Sequence, residues 1–140
     1  MSCSTSNTNS DHLKVRQFHL RSTELADDAQ MVRGEQAYRL RGAVTMEERK
    51  SRLGQYYTVS WKNDRPSGGP MKVVMDYQQA TSGSDVHQMK RDLPSGESEG
   101  RVEFKVIGNP YLVGGRVLAW RIRLLRDGEI IADKRSYLWR

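Results

Sequence analysis

The sequence predicts a mainly β protein, an antiparallel β-sandwich of about seven strands with one short helix. Segments of alternating apolar and polar residues recur along the chain, separated by stretches rich in Gly, Pro, Asn, Asp and Ser. A single segment carries helix signals, so the chain lacks the alternation of strands and helices that builds a parallel sheet. A small β-barrel is the alternative architecture, because the same strand pattern can close on itself.

Size and composition fit one domain with a polar leader. The chain has 140 residues, and its charged content of 29% is that of an ordinary globular domain rather than of a disordered chain. No apolar run approaches the ~18 residues of a membrane-spanning helix. We expect residues 1–11 to form a flexible leader or tether and residues 12–140 to form a single β-sandwich domain.

The leader contains the only cysteine of the chain, Cys3, followed by the small polar residues STSNTNS. A single cysteine excludes an intrachain disulfide and a multi-cysteine metal site. A cysteine before a Ser/Thr/Asn tether resembles the start of a processed bacterial lipoprotein, whose cysteine sulfur carries a diacylglycerol. Met1 and Ser2 stand where the apolar part of a signal peptide should be, so the lipobox is incomplete. The resemblance implies a lipid-anchored or periplasmic protein of the bacterial cell envelope; the alternative is a frayed N-terminus in the cytoplasm.

Alternation of apolar and polar residues places the strands. A phase shift at Gln17, inside the first strand, predicts a bulge in an edge strand. In the strand after the helix, Tyr57, Val59 and Trp61 are expected to face inward and Tyr56 outward. Residues 22–36 are interpreted as mostly loop. The predicted strands lie at 13–20, 38–44, 55–61, 71–78, 86–93 and 101–107, before a hairpin within 114–139.

The helix signal is a capping box. The Thr45 hydroxyl is positioned to accept from the first turn of a helix while Glu48 reaches back, and Gly54 supplies a stop. The resulting helix has about two turns, which is too short for stability on its own. We therefore expect it to connect strands or to cover a sheet edge.

The hairpin is the clearest element of the sequence. Its loop is expected to be Arg126-Asp127-Gly128, because a two-residue loop would place Asp133 opposite Ile122 on the apolar face. In the chosen register Arg121 faces Asp133 on the solvent side. Trp120 is the expected core anchor, since so large a ring dominates the packing around it. The predicted inward residues of the first arm are Leu118, Trp120, Ile122 and Leu124.

Tryptophans on a middle strand and on the penultimate strand, Trp61 and Trp120, resemble the arrangement in immunoglobulin-like and fibronectin type III-like domains. The resemblance covers the pattern from Leu13 to Trp139, without the paired cysteines of antibody domains. With Cys3, its tether and the closing segments AWRIRLLRDG and SYLW, the chain is also similar to uncharacterised bacterial envelope proteins in which a lipidated cysteine carries one β-sandwich. No activity is implied by that resemblance.

No residue pattern indicates catalysis. The three histidines, His12, His19 and His87, have no partner at a recognised metal-ligand spacing. No serine lies in a nucleophile elbow, and the glycine pairs match no phosphate-binding fingerprint. We therefore predict a non-enzymatic protein with no catalytic residue, no metal site and no cofactor.

The leading functional hypothesis is a binding or structural module that contacts a protein partner, not identified by the sequence, through a strand edge or a sheet face. The formal charge of +6 permits an alternative, a soluble basic domain that binds nucleic acid or another polyanion. Near the C-terminus, Tyr137 and Trp139 are expected either to contact the partner or to close the core of the domain. The candidate contact residues are Tyr56, Arg121, Arg123, Lys134, Arg135, Tyr137 and Trp139. The sequence does not indicate an oligomeric state.

Overall fold

The structure, a computed structural model, describes residues 12–20, 35, 37–43, 45–65, 68–94 and 96–139. Cys3 and residues 22–34 and 36 of the loop predicted over 22–36 lie outside this part of the chain. Within it the helices are α1 (Met46–Lys50) and α2 (Asn109–Gly114), and residues 37–39 are also helical. The strands are β1 (Leu13–Leu20), β2 (Gly54–Lys62), β3 (Met71–Gln79), β4 (His87–Asp92), β5 (Glu99–Ile107), β6 (Val117–Arg126) and β7 (Glu129–Arg135).

The strands form two antiparallel sheets, one in the order β1-β2-β5 and the other in the order β4-β3-β6-β7. The predicted antiparallel sandwich is thereby confirmed, and these strands do not close into a barrel. Lettered A to G in chain order, the sheets are ABE and DCFG. An immunoglobulin constant-type domain divides its strands as ABED and CFG, so the two arrangements differ only in the sheet that receives the fourth strand. The sandwich is immunoglobulin-like.

The core lies between the inner faces of the two sheets. Tyr57, Val59 and Trp61 of β2 face inward as predicted and are almost completely buried. The ring of Tyr57 meets that of Trp120 edge to face, with 5.8 Å between centroids. Burial of side chains of this size contributes about 1.5–3 kcal/mol each and supplies most of the driving force for sheet packing. Burial also raises the pKa of Tyr57, so its hydroxyl stays neutral in the core.

The outer face of the three-stranded sheet is also covered. Phe18 and Leu20 lie on the same outer face as Tyr56, and Leu20 and Tyr56 are buried there. The phase shift at Gln17 therefore marks the point where the apolar residues of β1 change from the inner face of the sheet to its outer face. The bulge predicted there is wrong, because β1 pairs with β2 without a register shift. The strand predicted over 38–44 is also wrong, since residues 37–39 are helical and 40–42 form a turn.

The β6–β7 hairpin differs from its predicted register. Its loop has two residues, Asp127 and Gly128, with φ of 51° and 85°, the positive values of a type I′ turn. The extra residue, Ile131, is accommodated inside β7 as a bulge, because Leu125 pairs with Ile130 and Leu124 with Ala132. The bulge moves Asp133 opposite Arg123 and thus keeps the carboxylate off the apolar face. The predicted three-residue loop is wrong for this reason.

A second bulge occurs at the start of β6. Gln78 pairs with Ala119 and Gln79 with Val117, so Leu118 has no partner in β3. The predicted inward orientation of Leu118 is wrong: this side chain is 39% exposed, and Val117 is buried in the core instead. The bulge reverses the alternation, which a single strand pattern cannot reveal.

The helix predicted from the capping box is α1. Thr45 Oγ1 accepts a hydrogen bond of 3.1 Å from the Glu48 amide. The helix ends at Lys50, with Ser51 as its C-cap, and Gly54 opens β2 rather than stopping the helix. Helix α2 was not predicted from the sequence. Its second residue, Pro110, is well tolerated in a first helical turn because proline has no N–H to leave unpaired.

Replacing Gly54 with alanine should destabilise the sandwich strongly. Gly54 has φ of 147°, and an added Cβ would overlap the Val106 carbonyl oxygen and lie 2.7 Å from Ile107 Cα. We expect Gly54→Ala to lower the free energy of unfolding by more than about 3 kcal/mol, since β2 and β5 must separate. Gly83→Ala is the control: φ is also positive but an added Cβ has nothing within 4 Å, so only about 1–2 kcal/mol of backbone strain applies. Urea titration measures both, and equal losses would contradict the steric explanation.

Candidate functional site

The strand order gives the sandwich two distinct ends. At one end lie the last residue of β1, the first of β2 and the last of β5, which pair as Leu20, Gly54 and Ile107. The end of β3 and the start of β6 meet there as well, and β7 finishes beside them. We call this the helical end, because α2 leads directly into β6 there. The other, the hairpin end, contains the first residue of β1 and the β6–β7 turn.

Two buried glutamine amides hold the helical end together. Gln55 of β2 is 3% exposed, and its Oε1 accepts a hydrogen bond of 2.5 Å from the Val117 amide of the opposite sheet. Gln79 of β3 is 4% exposed, and its Nε2 donates to the carbonyl oxygens of Pro110 and Gly115, at 2.8 and 2.9 Å. These bonds position α2 and the start of β6 against both sheets.

Large apolar side chains are exposed at the helical end. Tyr137 is 98% exposed and Val113 76% exposed, which is unusual for side chains of this size. Leu112 and Leu138, the neighbours of Val113 and Tyr137 along the chain, are also exposed, as is Leu118 near the start of β6. We refer to these side chains as the apolar patch: Leu112, Val113, Leu118, Tyr137 and Leu138.

The residues after β7 are held in place by the backbone. The Ser136 amide donates to the Trp120 carbonyl at 2.9 Å, and Ser136 Oγ accepts from the Trp120 amide at 3.0 Å. A turn follows, in which the Trp139 amide donates to the Ser136 carbonyl. Trp139 is partly buried, whereas Tyr137 projects entirely into solvent. Of the two candidate aromatic residues, Tyr137 therefore has the accessible side chain.

The predicted basic contact residues lie on the four-stranded sheet, where three of them have acidic partners. Arg123 lies 2.7 Å from Asp76, which is nearly buried and also accepts from Gln88. Arg121 and Arg135 lie 3.5 and 3.8 Å from one carboxylate oxygen of Asp133. Their charge is thus partly offset by two aspartates. The fourth, Lys134, pairs with Ile122, which faces inward. Because paired residues lie on the same face of a sheet, Lys134 lies on the inner face and not beside the three arginines.

The remaining candidate, Tyr56, is buried and does not form an exposed stacking surface. It is 3% exposed, and the guanidinium of Arg39 lies 4.3 Å from its ring centroid. Burial raises the pKa of Tyr56, although the positive charge of Arg39 opposes the shift. The neutral hydroxyl donates a 2.5 Å hydrogen bond to the Arg52 carbonyl. The sequence did place Tyr56 on the outer face, but it gave no sign of the segment that covers it.

Sequence reasoning missed the apolar patch apart from Tyr137. A signal was available for Leu112 and Val113, which lie between Pro110 and the glycine pair 114–115. A segment so short cannot form a strand with a buried face, so its apolar residues are prone to exposure. Leu118 was missed because of the bulge in β6.

In the ranges that the structure describes, no group of three or more His, Cys, Asp or Glu is arranged to hold a metal ion. No helix in those ranges is long and apolar enough to cross a membrane. Cys3 lies outside them. The lipid anchor, the boundary between leader and domain, and the absence of catalytic residues therefore stay predictions.

Comparison with known proteins returned no matching family model and no matching curated protein. An immunoglobulin-like protein from Pseudomonas aeruginosa has a similar structure over 59% of this chain and 70% of its own, at 13% identity and a TM-score of 0.41. A putative β-galactosidase from Bacteroides fragilis matches over 59% of this chain and 13% of its own, at 21% identity and a TM-score of 0.30. At these TM-scores neither likeness adds to what the strand order shows about the fold.

Replacing Gln55 with leucine should loosen the helical end. The substitution leaves the buried Val117 amide without an acceptor, which costs about 1–3 kcal/mol. We expect a lower free energy of unfolding and faster hydrogen exchange of the Val117 amide. Gln78→Leu is the control, because the hydrogen bond from Gln78 to the Ser84 carbonyl is exposed and its loss is tolerated. Unchanged protection of Val117 in Gln55→Leu would show that this bond does not hold the end together.

Proposed function

We propose that this protein is a non-enzymatic β-sandwich module that binds another protein through its helical end. The observation that carries the proposal is the exposure of the apolar patch, above all of Tyr137 and Val113. Large exposed apolar patches on soluble proteins tend to mark interaction sites, and tyrosine is enriched in the buried centres of protein interfaces. A partner that covers these side chains would remove their apolar area from water.

The basic surface is weaker evidence for polyanion binding than the apolar patch is for protein binding. A phosphate that approaches Arg121, Arg123 or Arg135 also meets the carboxylates of Asp76 and Asp133. Binding would have to compete with ion pairs already made. We therefore place protein contact ahead of nucleic-acid binding for this face.

Packing on the helical end is favoured over pairing with an edge of the four-stranded sheet. The edge strand β4 is charged and exposed along most of its length, and the edge strand β7 is interrupted by the bulge at Ile131. Both features hinder the pairing of a strand from another protein with these edges. The exposed cation Arg116 lies near the patch along the chain, so a partner with acidic residues around an apolar surface fits best.

We further propose that the module acts in the bacterial cell envelope, anchored by a lipid on Cys3. Support comes from the position of that cysteine before a polar tether. β1 begins at Leu13, at the hairpin end, and its eight residues extend about 27 Å towards the helical end. A tether at the N-terminus would therefore join the sandwich at the end opposite to the apolar patch, which leaves the patch free to meet a partner.

Mass spectrometry of the native protein from its source cells tests the anchor. We expect a mature chain that starts at Cys3 and carries the added mass of a diacylglycerol, recovered in the membrane fraction. A Cys3→Ser variant should lose that mass and leave the membrane fraction. An unmodified chain that begins at Met1 or Ser2 and is recovered from the cytosol would contradict the envelope proposal.

Site-specific photo-crosslinking tests the binding surface. With p-benzoylphenylalanine in place of Tyr137, we expect a covalent adduct with one partner protein in the source cells. The same probe in place of Ile130, which is half exposed at the hairpin end, should not give that adduct.

The double variant Val113→Asp with Leu138→Asp should lower the Tyr137 adduct at least tenfold, because two charges would then be buried by the partner. Both side chains are exposed, so thermal unfolding should change little. Ile130→Asp is the matched control and should leave the adduct unchanged. Identical adducts from positions 137 and 130, or no effect of the double variant, would overturn the proposed surface.

A further inference from the structure

A second surface feature is a recess on the outer face of the three-stranded sheet. It lies between residues 38–41, the residues that follow α1, and the outward side chains of β2 and β5. Its volume is about 640 Å³, within the range of small-molecule sites. Six residues give it its chemical character: Tyr38, Arg39, Arg41, Arg52, Glu103 and Lys105.

The recess carries a local excess of positive charge. Arg39, Arg41, Arg52 and Lys105 line it together with the carboxylate of Glu103. The carboxylate of Glu35 lies 3.8 Å from Arg39, so four cations face two carboxylates. A concave wall of one sign concentrates its electrostatic potential, which raises the local concentration of counter-ions. The recess therefore favours an anionic occupant with more than one negative charge.

The floor of the recess is rigid. Arg39 has a side chain only 9% exposed, held by an ion pair of 2.7 Å to Glu103 and by the ring of Tyr56 beneath it. Arg52 donates hydrogen bonds to the carbonyl oxygens of Arg39 and Arg41. The polypeptide that carries both arginines is thus fixed before any ligand arrives, which lowers the entropy lost on binding.

The rim of the recess holds cations whose positive charge is not fully neutralised by a carboxylate. Among the described residues, no carboxylate lies within ion-pair distance of Arg41, whose guanidinium lies 5.6 Å from the Tyr38 ring centroid. Lys105 is 51% exposed and lies 3.7 Å from Glu103, a carboxylate that Arg39 binds more closely. These cations differ from Arg121, Arg123 and Arg135 of the other sheet, which lie within ion-pair distance of an aspartate.

We propose that this recess binds a small organic phosphate, with the phosphate group contacted by Arg41 and Lys105. Arginine pairs well with phosphate oxygens because its planar guanidinium donates two parallel hydrogen bonds. The recess is larger than a phosphate ion, and the exposed ring of Tyr38 at its rim provides a surface for an aromatic or apolar body. The site is separate from the apolar patch and does not depend on it.

Isothermal titration at low ionic strength with phenyl phosphate, inorganic phosphate and benzoate tests the proposal. We expect saturable one-to-one binding of phenyl phosphate, weaker binding of inorganic phosphate, which lacks the ring, and no binding of benzoate, which carries a single charge. Arg41→Gln and Lys105→Gln should each weaken phenyl phosphate binding at least fivefold. These side chains are exposed, so thermal unfolding of the variants should match that of the parent protein.

Arg101→Gln is the matched control, because Arg101 lies on β5, is exposed and faces outward like Lys105, but does not line the recess. It removes the same charge and should weaken binding less than twofold. Absence of saturable binding by both phosphates would overturn the proposal. So would equal weakening by Arg101→Gln and Arg41→Gln, since the attraction would then be that of the net charge and not of the recess.

Discussion

The hydrogen bond from the Val117 amide to Gln55 is the constraint on which the helical end depends. Apolar burial brings the two sheets together, but it is non-directional and does not fix where one sheet ends relative to the other. A buried donor and acceptor do fix that position, because separation leaves both unpaired. Gln79 fixes the position of α2 in the same way, by donating hydrogen bonds to the carbonyl oxygens of Pro110 and Gly115. The exposed side chains of this end are therefore presented on a rigid frame.

Features set by local sequence were predictable. The alternation around Tyr57 and the N-cap at Thr45 both depend on residues close along the chain, and both predictions are confirmed. The bulges at Leu118 and Ile131 were not predictable, since each is defined by the pairing of two strands. The burial of Tyr56 also depends on a distant segment, which reaches it through Arg39. Single-sequence patterns indicate which residues alternate, but not what covers the outer face of a sheet.

The same limit applies to charge. The sequence gives a net charge of +6 but not the location of the acidic partners. On the four-stranded sheet the register brings Asp133 opposite Arg123, and cross-strand packing adds Asp76. On the three-stranded sheet, Glu103 is shared by Arg39 and Lys105, so positive charge remains in the recess. The two basic surfaces thus differ in electrostatic character because of where the fold places their acidic partners.

The order of the strands along the chain also affects how the protein reaches its folded state. β2 pairs with β1 and β5 across long separations, as in the pairs of Leu13 with Trp61 and of Tyr57 with Phe104. β6, which lies inside the four-stranded sheet, is the penultimate strand to be synthesised. Contacts so distant in sequence slow folding, and the sandwich cannot close until the last quarter of the chain has emerged. The apolar inner faces of the earlier strands therefore stay exposed to water until β6 is available to cover them.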